Sequence, residues 1–158
     1  MPLTVLCVGK LKEQAYRAAS EEYIKRISRF TKLEVIQVDD IPEPQPFSPA
    51  MARQVLLQEG NRMLSHIKAT DRVIALCIDA PQLSSMEFSS RLSGLAAQNV
   101  RIVFVIGGSL GLGGNILSRA DERLSLSRMT FPHQLARVML LEQIYRACKI
   151  NAGERYHK

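Results

Sequence analysis

Five short apolar runs, separated by stretches of helical period, constrain this chain more than any other feature. Leu3–Val8, Leu33–Val38, residues 73–78 and Ile102–Ile106 are almost continuous in Val, Ile and Leu, and a weaker fifth run covers residues 124–127. A strand with one wet face alternates apolar and polar residues, whereas a near-continuous run belongs to a strand covered on both faces. The intervening segments supply the covers. Tyr16, Ala19, Tyr23 and Ile27 recur at helical spacing within residues 13–30, as do Val55, Leu56, Met63, Leu64 and Ile67 within residues 51–67. A third helix, residues 84–97, opens on Ser84-x-x-Glu87, a capping box in which hydroxyl and carboxylate each accept a backbone N–H left free by the first turn. Residues 133–150 form the longest and most apolar helical stretch. The alternation predicts an α/β fold: one domain, residues 1–158, with a mostly parallel sheet and helices on both faces. "DDIPEPQPFSP", with four prolines in eleven residues, is a stiff extended loop before the second helix.

The segment "VIGGSLGLGGNI", Val105 to Ile116, places five glycines after the fourth strand. A phosphate-binding P-loop requires a lysine after its last glycine, and none follows here. A dinucleotide fingerprint requires G-x-G-x-x-G in the first strand–helix turn, which here reads "VGKLKE". Gly107, Gly108, Gly111, Gly113 and Gly114 therefore form either a turn that needs positive φ or a place where a ligand approaches the backbone. Ligands of parallel α/β sheets bind at the carboxyl ends of strands. The ends after Ile78, Ile106 and Leu126 are predicted to share one pocket, lined by Leu76, Gly107, Gly108, Leu126, Met129 and Phe131. Such a lining suits an adenine with a thioether or sulfonium better than a pyrophosphate.

Composition narrows the setting. At 158 residues and 46% apolar, the chain has material for a core, which excludes a disordered protein. No apolar run is long enough to span a bilayer, and the start "MPLTVLCVGKLKE" reads as a strand, not a signal peptide. Cys7, Cys77 and Cys148 are too scattered for a disulfide framework or a metal site, so a cytoplasmic protein without metal is expected. The net charge is +6. Lys10, Lys12, Arg17, Lys25, Arg26, Arg29 and Lys32 crowd the first helical region, and Arg146, Lys149, Arg155 and Lys158 the end. That distribution points to a polyanionic partner such as nucleic acid.

The stretches "VGKLKE", "EEYIKR", "VIGGSLGL", "LSLSRMTFPHQLARVMLLEQIYRACKI" and the ending "GERYHK" resemble the RlmH-type ribosomal RNA large-subunit methyltransferases of the SPOUT superfamily, over essentially the whole chain. The resemblance implies S-adenosylmethionine as cofactor and methylation of N3 of a pseudouridine in 23S rRNA. It also implies a C-terminal trefoil knot, and a homodimer whose RNA site is shared across the interface. Carried over by position, the cofactor pocket falls on Leu76, Gly108, Ser127, Arg128, Met129, Thr130, Phe131 and Pro132. On this reading the glycines let a bent cofactor lie against backbone, and a side chain at Gly108 would collide with it. Tyr156 would stack the target base and His157 would take its N3 proton, with Arg155 or Arg137 stabilising the developing anion. Cys77, Ala80-Pro81 and Arg128 depart from the residues common in that family. Two other readings stand beside this one: a SPOUT enzyme acting on tRNA or on a ribose hydroxyl, and a non-enzymatic rRNA-binding ribosome factor.

Overall fold

The computed structural model of the chain describes residues 1–156. Strands and helices alternate strictly: β1 (Leu3–Val8), α1 (Gln14–Ile27), β2 (Leu33–Val38), α2 (Pro49–Leu64), β3 (Arg72–Leu76), α3 (Ser85–Ala96), β4 (Ile102–Ile106), α4 (Gly114–Arg119), β5 (Glu122–Leu124) and α5 (His133–Asn151). The strands form one parallel sheet in the order β2-β1-β4-β3-β5. Successive side chains of the central strands enter opposite layers. Leu3, Val5, Cys7, Ile102, Phe104 and Ile106 pack with residues of α1, α3 and α5, while Leu6, Val8, Val103 and Val105 pack with residues of α2 and α4. This two-sided cover explains the unbroken apolar runs. Each such side chain, fully buried, contributes about 1.5–3 kcal/mol relative to exposure. The edge strand β2, by contrast, buries only Val38 fully.

The capping box forms as expected, with Glu87 N–H donating to Ser84 Oγ and Ser84 N–H to Glu87 Oε2. Three differences from the sequence reading bear on the functional region. β3 ends at Leu76: Cys77 N–H makes the last bond to β5, to Leu124 O, and Ile78 is already exposed. β5 is shorter and earlier than residues 124–127, because Ser125 leaves the ladder: its N–H donates to Pro81 O and its hydroxyl to Ser127 O. The short helix α4 has no counterpart in the sequence pattern, since a segment starting on Gly113 and Gly114 carries no helical propensity. Tertiary contacts hold it: Ile116 is fully buried, and Asn115 Nδ2 donates to Leu57 O and Asn61 Oδ1 on α2.

Two features position the functional region. From the edge strand β5 the chain returns past the carboxyl ends of β3 and β4 before α5 begins. On the way, Ser125 bridges Gln82 in the loop that follows β3. The first turns of α5 are then tied to the end of β1. Arg137 Nη2 donates to Gly9 O (3.0 Å) and Val8 O (3.4 Å), and Lys12 N–H donates to Gln134 Oε1. No helix among the described residues is long and apolar enough to cross a membrane.

Two helical glycines make opposite predictions. A Cβ on Gly94 of α3 meets nothing within 4 Å, whereas one on Gly60 of α2 would lie 2.2 Å from Asn115 Oδ1. Gly94→Ala should stabilise by about 0.5–1 kcal/mol through helix propensity. Gly60→Ala should destabilise by roughly 1–3 kcal/mol by displacing α4. Urea midpoints moving in the same direction for both would refute this account of the α2–α4 contact.

Candidate cofactor and active site

A cavity of about 490 Å³ opens at the carboxyl ends of the strands. Its walls are Leu76 to Ile78 after β3, Ile106 to Gly111 after β4, and the segment from Leu126 through His133, with Ala136 one turn into α5. All six residues expected to share a pocket lie on it, and so do Ser127, Thr130 and Pro132. Arg128 is different: it is exposed and takes no part in the lining. The reason is local. Met129 N–H donates to Ser127 Oγ at 3.0 Å, a serine turn that folds the chain tightly around position 128.

The glycine loop closes on itself. Gly111 N–H donates to Gly108 O, and Gly111 has φ +85°. A Cβ on Gly107 would sit 2.2 Å from Gly111 O, so glycine there is demanded by the loop's own backbone. At Gly108 a Cβ would meet Val8 Cγ1 at 3.2 Å and Glu59 Oε2 at 3.9 Å. Within the chain itself, a side chain at Gly108 would first meet β1 and α2, and the same residue lines the cavity. Glu59 is buried beneath this loop and accepts Ile41 N–H at 3.0 Å. Burial pushes its carboxyl above the usual range, against the Ile41 hydrogen bond, and Asp40 adds to the rise.

His133, half-buried on the pocket wall, is held below the ordinary imidazole range, first by burial and then by Arg137, with Asp40 opposing. The wall it presents at neutral pH is uncharged and mostly apolar. Arg137 itself is buried against the end of β1 and lines a neighbouring cavity, not this one.

The tail residues lie elsewhere. Tyr156 O–H donates to Glu142 Oε1 at 3.3 Å, its ring packs edge-on against Tyr145 at 5.0 Å, and the Arg146 guanidinium stands 4.6 Å above it. Arg146 also donates to Glu142 Oε1 at 2.6 Å, and Gln143 Nε2 donates to Glu142 Oε2. Burial, then the Glu142 charge, raises the Tyr156 phenol above its usual range, so it stays a donor. Arg155 is exposed, and His157 lies outside the described residues. Glu142, which holds the Tyr156 hydroxyl, and Arg146, over its ring, follow the pocket-lining Ala136 by six and ten helical positions, about 9–15 Å at a rise of about 1.5 Å per residue. Within one chain, Tyr156 and the strand-end pocket are thus well apart. Between them lies a hollow of about 440 Å³ that includes Leu126, Met139, Glu142 and Gln143. Glu142 and Gln143 were not singled out from sequence, although a carboxylate inside "VMLLEQIYRA" was a readable signal. Among the described residues, no three His, Cys, Asp or Glu side chains cluster as metal ligands.

A family model described as "Predicted SPOUT methyltransferase" matches residues 1–157. The chain is 49% identical to the ribosomal RNA large subunit methyltransferase H of Bifidobacterium animalis subsp. lactis, and 48% identical to that of Clostridioides difficile, over all of both chains in each case. Among solved structures, a methylase family protein from Haemophilus influenzae superposes with a TM-score of 0.56 at 10% identity, covering 99% of this chain and 70% of that one. One from Neisseria gonorrhoeae superposes with a TM-score of 0.53 at 12% identity, covering 91% and 81%. At such identities these likenesses speak to the fold alone.

The His133 environment sets a pH dependence. Its folded pKa lies below the unfolded value of about 6.5. The unfolded chain therefore binds the proton first. The associated stability is complete above pH of about 6.5 and is lost as pH falls through the folded pKa. His133→Gln should flatten the decline in urea-unfolding free energy between pH 7 and pH 5. An unchanged slope would show that the imidazole is solvated.

Proposed function

The chain belongs to the SPOUT methyltransferase family, and on that premise we propose that it methylates N3 of a pseudouridine in 23S rRNA of the large ribosomal subunit, using S-adenosylmethionine. The observation that carries this reading is the convergence of three strand ends on one apolar cavity with an uncharged imidazole in its wall. Its volume lies within the usual range for a cofactor-sized ligand, about 300–1,000 Å³. A neutral, apolar wall tolerates a sulfonium, and the turned backbone at 107–111 and 127–131 offers N–H and C=O groups to an adenine edge. Leu76, Gly108, Ser127, Met129, Thr130, Phe131 and Pro132 would hold the cofactor, with Arg128 outside the lining and free to meet RNA. The bound cofactor supplies an activated methyl group. Everything else falls to the chain: aligning N3 with that methyl and removing the N3 proton. Alignment alone supplies on the order of 7–11 kcal/mol in favourable cases. Tyr156 is assigned to stacking the base, His157 to accepting the proton, and Arg155 to the developing negative charge. An rRNA substrate implies a cytoplasmic location.

The separation of about 9–15 Å along α5 between the pocket wall and the residues that hold Tyr156 supports a homodimer. A second copy related by a two-fold axis, with its α5 antiparallel, would bring one protomer's tail to its partner's cofactor pocket. Exposed Ile78, Leu83, Met86 and Met129 offer that copy an apolar surface beside the pocket. The passage of Ser125 along the loop after β3 is where the trefoil knot of this family would cross.

Calorimetry with S-adenosylmethionine tests the cofactor, and mass spectrometry of rRNA from cells with and without the gene tests the substrate. Deleting Tyr156, His157 and Lys158 should spare cofactor affinity while abolishing methyl transfer. His157→Ala alone should lower the rate roughly 10²–10⁴-fold, and a truncated chain active at the normal rate would remove the tail from the site. A second test addresses sharing. Phe131→Asp and Tyr156→Ala proteins, each inactive, should on co-refolding recover on the order of one quarter of wild-type activity, because half the dimers are mixed and each mixed dimer holds one intact site. No recovery from well-folded mixed dimers would place each site within one protomer.

A further inference from the structure

Arg137 is only 2% exposed, and two of its three guanidinium nitrogens, Nε and Nη1, have no hydrogen-bond partner. Ser20, 4% exposed on α1, likewise has an unpartnered hydroxyl. Both residues line one cavity of about 270 Å³ between α1, α5 and the end of β1. Lys10 and Arg17, both exposed, also line it, with Gln37. Glu21 is the sole carboxylate on this lining, and it is exposed on the same face of α1 as Arg17. Burial pulls Arg137 away from its charged form, and the Cys7 thiol, which burial pushes up to about 11, is neutral at ordinary pH and supplies no counter-charge. A guanidinium nevertheless stays charged in proteins. A buried charge without a counter-charge is strongly unfavourable. Three cations around a small hollow, two uncommitted donor groups on residues of its wall and Glu21 as the one carboxylate have the chemistry of an anion site.

We propose that this cavity receives a backbone phosphate of the RNA substrate. The inference rests on the RNA-methylating reading above and deepens it. Phosphate is favoured because it carries several acceptor oxygens for one charge, matching a guanidinium edge, a hydroxyl and two long basic side chains. The location fits. Ala136 lines the cofactor pocket and Arg137, the next residue, lines this cavity, so the first turns of α5 separate the two. A strand laid across that turn would have one nucleotide's base at the pocket and a neighbouring phosphate in the cavity. Charge neutralisation there would also hold α5 against β1, through the bonds from Arg137 to Val8 O and Gly9 O.

The Nε–H of Arg137 is a direct reporter in ¹⁵N–¹H correlation spectra of the full chain, assigned with Arg137→Lys. A short single-stranded RNA without pseudouridine should shift this signal at micromolar concentration, and inorganic phosphate at matched ionic strength only at millimolar. The double variant Lys10→Ala/Arg17→Ala, altered only at exposed positions, should weaken binding of the same RNA about tenfold. The slope of its log affinity against log salt should also shrink by about 0.7 for each phosphate no longer neutralised. Its S-adenosylmethionine affinity should stay unchanged. A signal that ignores RNA overturns the proposal. So does inorganic phosphate binding as tightly as RNA, which would make this a free-phosphate site. A signal that moves with protein concentration alone also overturns it, by showing that a second copy fills the cavity. Methylation of ribosomes by the wild type separates the two ideas. If it proceeds while the variants bind RNA normally, only this inference falls. If it fails while the Arg137 signal still answers to RNA, only the methylation reading falls.

Discussion

The placement of α5 governs the molecule. Its apolar residues Leu140, Leu141, Ile144 and Ala147 are buried over the central strands, between α1 and α3. Arg137 ties its beginning to the last carbonyls of β1. Once those bonds and that burial hold α5 over the middle of the sheet, the chain leaving the edge strand β5 has to travel back across the carboxyl ends of β3 and β4. That journey makes the Leu126–His133 wall, and with the ends of β3 and β4 it closes the pocket. The site is a consequence of where the last helix must pack.

Several glycines are demanded by close approaches within the chain. Gly107 permits the loop to fold onto Gly111, Gly60 admits Asn115, and a Cβ on Gly113 would approach Leu56 O at 2.9 Å. The turn at 107–111 is therefore rigid by close backbone contact, which suits a wall that must present fixed N–H and C=O groups. Such pre-organisation limits the ordering that a bound cofactor must impose.

Charge is distributed with similar economy. The pocket wall keeps His133 neutral through burial. The cations gather on either side: Arg137 with Lys10 and Arg17 beyond the first turn of α5, and Arg146 over Tyr156 near its end. On the proposed reading, an apolar cavity with basic side chains beside it suits a polyanion that is held while one of its bases enters.

The mostly parallel α/β sheet, the helices on both faces, the capped start of α3 and the strand ends that share a pocket were legible in the residues alone. Two-sided burial writes itself into unbroken apolar runs, and caps and periodicity are local signals. Leu76, Gly107, Gly108, Leu126, Met129 and Phe131 were also legible as one lining, because ligand sites of parallel sheets lie at the carboxyl ends of strands. That those ends adjoin is set by the order β4-β3-β5, and the remainder by other long-range contacts. That α4 exists depends on Asn115 finding Gly60, a contact between distant residues. That Arg128 stands outside the lining depends on one serine turn. That Gly108 faces Val8 and Glu59, that Arg137 is buried with two nitrogens unpartnered, and that Tyr156 is held by Glu142, farther along α5 than the pocket wall, are facts of long-range packing. Such packing is set by which surfaces are nearest once the sheet has formed, and no local pattern of residues encodes it.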